Sequence, residues 1–181
     1  DTTGGIIDIT TLTGNNGGMN DIMLSVGSSE PMTIHVVKSS RIPTMYLTSD
    51  NPVTQGRDYV DASKNNKTTA YMTMVSADGG VVYSGGLNQL KSRGNSTFAY
   101  YDKKPYQIKL SSASDLLGNG ENVKTWVLLA GYADATQIRD KLFKDLATEM
   151  GMPYTASCDW VDLYYDGEYR RTYLLSEKNA V

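Results

Sequence analysis

Asp166-Gly167 separates two runs that read as strands, Asp159 to Tyr165 and Glu168 to Leu175. An Asp-Gly pair tolerates positive φ at both central positions of a type I′ turn, whose twist suits two antiparallel strands. This feature constrains the fold more than any other, because a two-residue loop also sets the register. It places Tyr164 opposite Tyr169, Asp162 opposite Arg171 and Trp160 opposite Tyr173. The expected hairpin therefore carries a cross-strand charge pair between two aromatic pairs.

Upstream, further strand signals follow. Ile22, Leu24 and Val26 alternate with Asp21, Met23 and Ser25, and Met32 to Val37 forms a second run. Ile42 to Thr48 is a strand stopped by Asn51-Pro52, and Thr68 to Val75 is a longer one ending at Asp78-Gly79-Gly80. Val81 to Tyr83 and Leu87 to Ser92 continue the series. In Lys104 to Leu110, Tyr106, Ile108 and Leu110 face one way and Gln107 and Lys109 the other. Trp126 to Ala130 is wholly apolar, as in a central strand. One helix is expected, Thr136 to Met150, with Asp134 and Gln137 in capping-box spacing and Gly151 and Pro153 ending it. Ile138, Leu142, Leu146 and Met150, widened by Phe143 and Ala147, form its apolar stripe, with Lys141 and Asp145 paired on the wet side. The pattern predicts an α+β fold: an antiparallel β-meander sheet with one main helix packed on a face.

Length allows one domain or one with a small appendage. The first 40 residues, with the apolar run Ile6, Ile7 and Ile9 and the Gly14-Asn15-Asn16-Gly17-Gly18 cluster, read as an N-terminal β segment or the tail of a preceding module; residues 41–181 form the main unit. The chain begins at Asp1 rather than Met, which implies processing or trimming. A net charge of −3 excludes the dominant basic field of a nucleic-acid binder, and no run approaches the roughly 20 apolar residues of a membrane-spanning helix. One cysteine excludes an internal disulfide framework, and one histidine excludes His-pair zinc sites. Cys158 reads as a small packed residue and His35 as a packing or edge residue of its strand. Thirteen tyrosines against two tryptophans and two phenylalanines, with frequent Ser, Thr, Asn and Gly, favour amphipathic strands. This composition is common in surface domains of Gram-positive bacteria, although a cytoplasmic α+β domain is compatible with it.

Five stretches, taken in order, carry a resemblance. They are Lys91-Ser92-Arg93-Gly94-Asn95-Ser96-Thr97-Phe98; Lys103-Lys104-Pro105-Tyr106-Gln107-Ile108-Lys109-Leu110; Asp115-Leu116-Leu117-Gly118; Lys124-Thr125-Trp126-Val127-Leu128-Leu129-Ala130-Gly131-Tyr132-Ala133-Asp134; and Gly167-Glu168-Tyr169 with Tyr173-Leu174-Leu175-Ser176-Glu177. Together they resemble the spore coat protein H (CotH) kinase family from about Arg41 to Val181. Ser92 stands where that pattern has its first Gly, Phe98 where it has Trp, and Arg171 where it usually has Gly. The resemblance implies the N-terminal lobe of an atypical protein-kinase-like fold, which in a complete member binds ATP with a divalent metal such as magnesium. It implies phosphate transfer to Ser or Thr of coat or cell-surface proteins, and a place outside the cell, at the cell surface or in the spore coat of a Gram-positive bacterium. The family's catalytic and metal-binding aspartates lie beyond the Tyr-Leu-Leu-Ser-Glu strand, so the C-terminal lobe is expected to be absent here and this portion to be inactive alone, with no catalytic or metal-binding residue assigned.

Phosphoryl transfer needs positive charge and close backbone approach to the phosphates. Arg93, Asn95 and Ser96, around Gly94, have the residue types to line a phosphate; the plainer reading is a tight turn with an exposed Arg. Lys109, in mid-strand, is placed to touch phosphate and pair with a helix carboxylate, Asp145 or Glu149, or is simply solvated; Lys104 and Lys124 are weaker candidates. Glu177 would fix the hinge or contact nucleotide. The alternative function is a non-catalytic extracellular module binding a surface protein or polysaccharide, with Tyr100-Tyr101 and Tyr164-Tyr165 as sugar-stacking candidates.

Overall fold

The structure, a computed structural model, describes residues 19–24, 32–37 and 41–178. The apolar run at Ile6 and the glycine-rich cluster at Gly14 lie outside them, as does the side chain of His35. Two strands, β1 (Met19–Leu24) and β2 (Met32–Val37), pair antiparallel in a sheet of their own. The other seven are β3 (Thr44–Ser49), β4 (Lys67–Val75), β5 (Val81–Ser92), β6 (Tyr106–Ser114), β7 (Val123–Leu129), β8 (Cys158–Tyr165) and β9 (Glu168–Glu177). They close into a barrel in the order β3-β4-β5-β6-β7-β9-β8.

Closure corrects the expected meander with a helix on one face. Six neighbours are antiparallel, but β8 pairs parallel with β3, Thr44 opposite Asp162 through Leu47 opposite Tyr165. That pair joins both edges of the would-be sheet, so no edge and no open apolar face remain. The interior is filled by the inward set of every strand, including Met45 and Leu47, Met72 and Met74, Leu90, Ile108 and Leu110, Trp126 and Leu128, Leu163, and Tyr173 and Leu175. Each is at most 1% exposed. The alternation in Tyr106, Ile108 and Leu110 is borne out, with Lys109 outside.

The helix, α4 (Arg139–Glu149), is shorter than expected and turned over. Asp134 does cap the approach, accepting from the Thr136 and Arg139 amides, but the helix starts at Arg139. Gly151 ends it at φ 67°, with the Met152 amide bonded back to the Ala147 carbonyl. The apolar stripe faces out: Leu142 is 59% exposed, Phe143 68% and Met150 69%. The lysines face the barrel, Lys144 Nζ donating to Ser176 Oγ at 2.6 Å and Lys141 Nζ to the Cys158 carbonyl at 3.4 Å. A barrel whose interior is already filled offers this helix only strand-end carbonyls and hydroxyls, which suit lysines. Three shorter helices were not anticipated: α1 (Pro52–Gln55), α2 (Arg57–Ala62) and α3 (Ser96–Tyr100).

The Asp166-Gly167 turn is as read, with φ of 49° and 81°. Tyr164 faces Tyr169, and the register then slips by one: Asp162 faces Thr172, and Trp160 faces Leu174. Arg171 is the extra residue of this bulge, at φ 71°. The expected Asp162–Arg171 pair is therefore absent. Asp162 Oδ1 accepts from Tyr169 Oη and Thr172 Oγ1, both at 2.9 Å, and Arg171 is exposed. The left-handed backbone gives a physical reason for glycine in the family pattern. Arg171→Gly should raise stability by about 0.5–1 kcal/mol, since relief of the left-handed conformation exceeds the entropy cost of glycine. Urea unfolding of the two proteins measures it, and a less stable variant would refute the strain.

Candidate functional site

One end of the barrel collects the loops that carry polar side chains. There β3, β5, β7 and β8 end and β4, β6 and β9 begin. Helices α1 and α2 connect β3 to β4, and the Arg93–Asn95 turn and α3 connect β5 to β6.

A buried polar layer closes this end. Asp61 of α2 accepts from Ser92 Oγ at 3.2 Å and Tyr106 Oη at 3.1 Å. Burial pushes its carboxyl above the usual range despite those bonds. Burial also holds the Tyr106, Tyr165 and Tyr173 phenols well above the ordinary tyrosine range, so all three are neutral hydrogen-bonding groups. Tyr173 Oη donates to the Lys104 carbonyl at 2.9 Å, and the Tyr106 ring meets Tyr165 edge-on. Asp166 Oδ1 accepts from the Ser49 amide at 2.7 Å; Oδ2 accepts from Ser49 Oγ and the Arg57 amide, each at 3.0 Å. Glu168 is held by Arg57 on one side and by Arg170 Nη1 at 3.2 Å on the other.

Two concavities flank that ion-pair chain. The smaller, about 180 Å³, lies against Pro52, Gly56, Arg57 and Asp166. The larger, about 330 Å³, is lined by Lys103, Tyr132 and the β9 start from Glu168 to Arg171. Lys103 Nζ donates to the Thr172 carbonyl at 2.5 Å and sits 4.3 Å from the centre of the Tyr173 ring. Burial, with Arg171 and Arg170 nearby, lowers its pKa to about 8.

The residues expected to meet phosphate divide. Arg93, Asn95 and Ser96 come together at this end. Arg93 is half-buried, its amide bonded to the Pro105 carbonyl, and burial lowers the pKa of its guanidinium. Gly94 has φ 87°, and a Cβ there would meet Thr97 Oγ1 at 2.2 Å, so the turn needs glycine. Asn95 Oδ1 accepts from Lys64 Nζ at 3.0 Å, and Ser96 opens α3. Lys109 stands apart on the outer wall, and Glu177 lies at the opposite end, accepting from Asn119 Nδ2 at 3.2 Å. Lys104 is a structural staple, donating to the Phe98 and Tyr101 carbonyls at 2.7 Å each. Asp145 pairs with Lys141 within α4. Lys103, Arg57, Glu168 and Arg170 were not singled out from sequence; the only signal was that Lys103 and Glu168 fall inside quoted motifs.

Of the tyrosine pairs, Tyr165 is fully buried, and Tyr164 stacks on Tyr46 and meets Tyr169 at a tilt. Tyr101 packs on Tyr132, and Tyr100 is exposed. Among the described residues no helix is long and apolar enough to cross a membrane, and no group of three or more His, Cys, Asp or Glu side chains is placed to hold a metal ion.

The fold and this end thus define a closed mixed barrel with a polar, cation-rich mouth. The family model described as CotH kinase protein matches residues 90–179, from the end of β5 through β9. The chain belongs to the CotH family. No curated protein matches it.

Proposed function

We propose that this chain is the nucleotide-side portion of a CotH-like atypical protein kinase, which in complete form transfers phosphate from ATP to Ser or Thr of coat or cell-surface proteins. The carrying observation is that the family match runs through the barrel mouth, taking in the Arg93–Ser96 turn, the Lys103-Lys104-Pro105 segment and the start of β9. Glycine at 94 allows close backbone approach, and the half-buried Arg93 supplies charge where a phosphate would develop it. A divalent ion does not fit the acids of this mouth: Asp61, Asp166 and Glu168 are each taken up by donors of the chain, and no three acids among the described residues converge on one point. Metal ligands and the general base would come from a second lobe closing over this one. The same reading places the protein outside the cell or in the spore coat of a Gram-positive bacterium.

The test is calorimetry with ATP and magnesium on residues 1–181 and on a longer chain carrying the family's aspartates. Weak binding is expected for the first and firm binding for the second, with radiolabel transfer to a coat protein. Sub-micromolar ATP affinity in residues 1–181 would overturn the two-lobe arrangement. A longer chain that neither binds ATP nor transfers label would overturn the kinase reading.

A further inference from the structure

We infer that the larger concavity, between Lys103 and the first residues of β9, is a binding site for a phosphate-type oxyanion. Three cations line it: Lys103, Arg170 and Arg171. Two acids line it too: Glu168 is shared by Arg57 and Arg170, and Asp102 carries a negative charge with no ion pair among the described residues, so the lining keeps an excess of one positive charge. Among the described residues Lys103 makes no ion pair, although the Asp162 charge acts on it from farther off; its ammonium rests on a carbonyl and a ring face. Arg171 likewise has no ion pair among the described residues. Arg170 Nε is buried and has no hydrogen-bond partner among the described residues. An unmatched buried donor and close like charges both cost stability, and a dianion would relieve both.

The backbone supports the same assignment. Arg171 keeps a bulky cation at φ 71°, where the fold itself would favour glycine. A strained residue that presents charge to a pocket has the character of a binding residue. The volume, about 330 Å³, admits a phosphate together with part of what carries it, and Tyr132 and Tyr169 leave half-exposed ring faces alongside. Lys103, rather than Lys109, is then the lysine of this chain that meets phosphate. The inference rests on the pocket alone and holds whether or not ATP is the phosphate donor, because the dianion belongs equally to a nucleotide or to a phosphorylated side chain.

The experiment follows the Lys103 ammonium by NMR in the full 181-residue chain. Without ligand it should titrate near pH 8. Inorganic phosphate should move that titration upward, because an anion favours the charged amine. ATP and a phosphoserine peptide are separate arms: an upward shift with only one identifies the source, and a shift with both leaves the site general. Lys103→Met and Arg171→Gly should each weaken phosphate binding about tenfold, the effect of losing one charge-assisted hydrogen bond. Arg171→Gly also relieves the bulge, so its loss of affinity cannot be ascribed to misfolding. Lys109→Met, on the outer wall, should bind as the parent does. If inorganic phosphate leaves the Lys103 titration where it was, or if both pocket variants bind as the parent does, the site is refuted. If the longer chain binds ATP while neither inorganic phosphate nor the phosphoserine peptide changes Lys103, the site is refuted and the kinase reading stands.

Discussion

Trp126→Ala should lower the free energy of unfolding by about 3–5 kcal/mol, the range for deleting a buried large aromatic. The indole is fully buried in β7, flanked by Ile108 on β6 and Glu177 on β9 in register. Its Nε1 donates to the Val123 carbonyl at 3.1 Å, so truncation leaves both a cavity and an unmatched acceptor. A closed barrel cannot shrink around the hole, because its circumference is fixed by seven hydrogen-bonded strands. Domains of this kind have about 5–15 kcal/mol to lose. With a urea slope of about 1–3 kcal/mol/M, the midpoint should fall by more than about 1 M. Trp126→Phe should lose much less. A midpoint unchanged in the Ala variant would mean that this interior is not packed as described.

Much of the strand order was legible because strands advertise themselves locally. Alternation in Lys104 to Leu110, the apolar run from Trp126, and Asp166-Gly167 each correspond to an observed element. Closure was not legible, because it rests on the parallel pairing of Thr44–Leu47 with Asp162–Tyr165, residues more than a hundred positions apart. The helix stripe was read correctly as apolar and wrongly as buried. Periodicity reports which residues share a face, and only the rest of the fold decides where that face points. At Arg171 the relevant clue was the glycine of the family pattern. Glycine signals positive φ as readily as small size, and reading the position as a charge partner for Asp162 missed the bulge.

The placement of the expected phosphate-lining residues was legible only in part, for a similar reason. Arg93, Asn95 and Ser96 lie together because Gly94 makes one short turn of them, which sequence alone can show. Lys109 and Glu177 were assigned by their places along strands, and a barrel sends those places to its wall and its far end. Adjacent lysines diverge completely: Lys104 turns to the Phe98 and Tyr101 carbonyls, while Lys103 crosses to the hairpin and the Tyr173 ring. That difference arises only when β9 lies beside the 102–105 segment, a contact spanning 69 residues.

Asp166→Ala should cost about 3 kcal/mol, more than a turn residue ordinarily does. Its carboxylate joins three elements, taking the Ser49 amide at the end of β3, Ser49 Oγ, and the Arg57 amide that opens α2. Ser49 is only 2% exposed, so its amide would lose its partner away from water, at about 1–3 kcal/mol. Alanine at φ 49° adds roughly 1–2 kcal/mol more, because the left-handed region is unfavourable to it. Asp166→Asn separates these terms: asparagine tolerates the backbone and keeps one acceptor oxygen, so it should lose about 1 kcal/mol. Hydrogen exchange gives the local readout, with the Ser49 and Arg57 amides losing protection first in the Ala variant. The consequence reaches the mouth, since Arg57 also holds Glu168, which in turn holds Arg170. Loosening α2 should therefore weaken phosphate binding at Lys103 even though Asp166 does not line that pocket. An Ala variant within about 0.5 kcal/mol of the parent, the range of ordinary surface substitutions, would show that the turn, and not the carboxylate, ties the hairpin to α2.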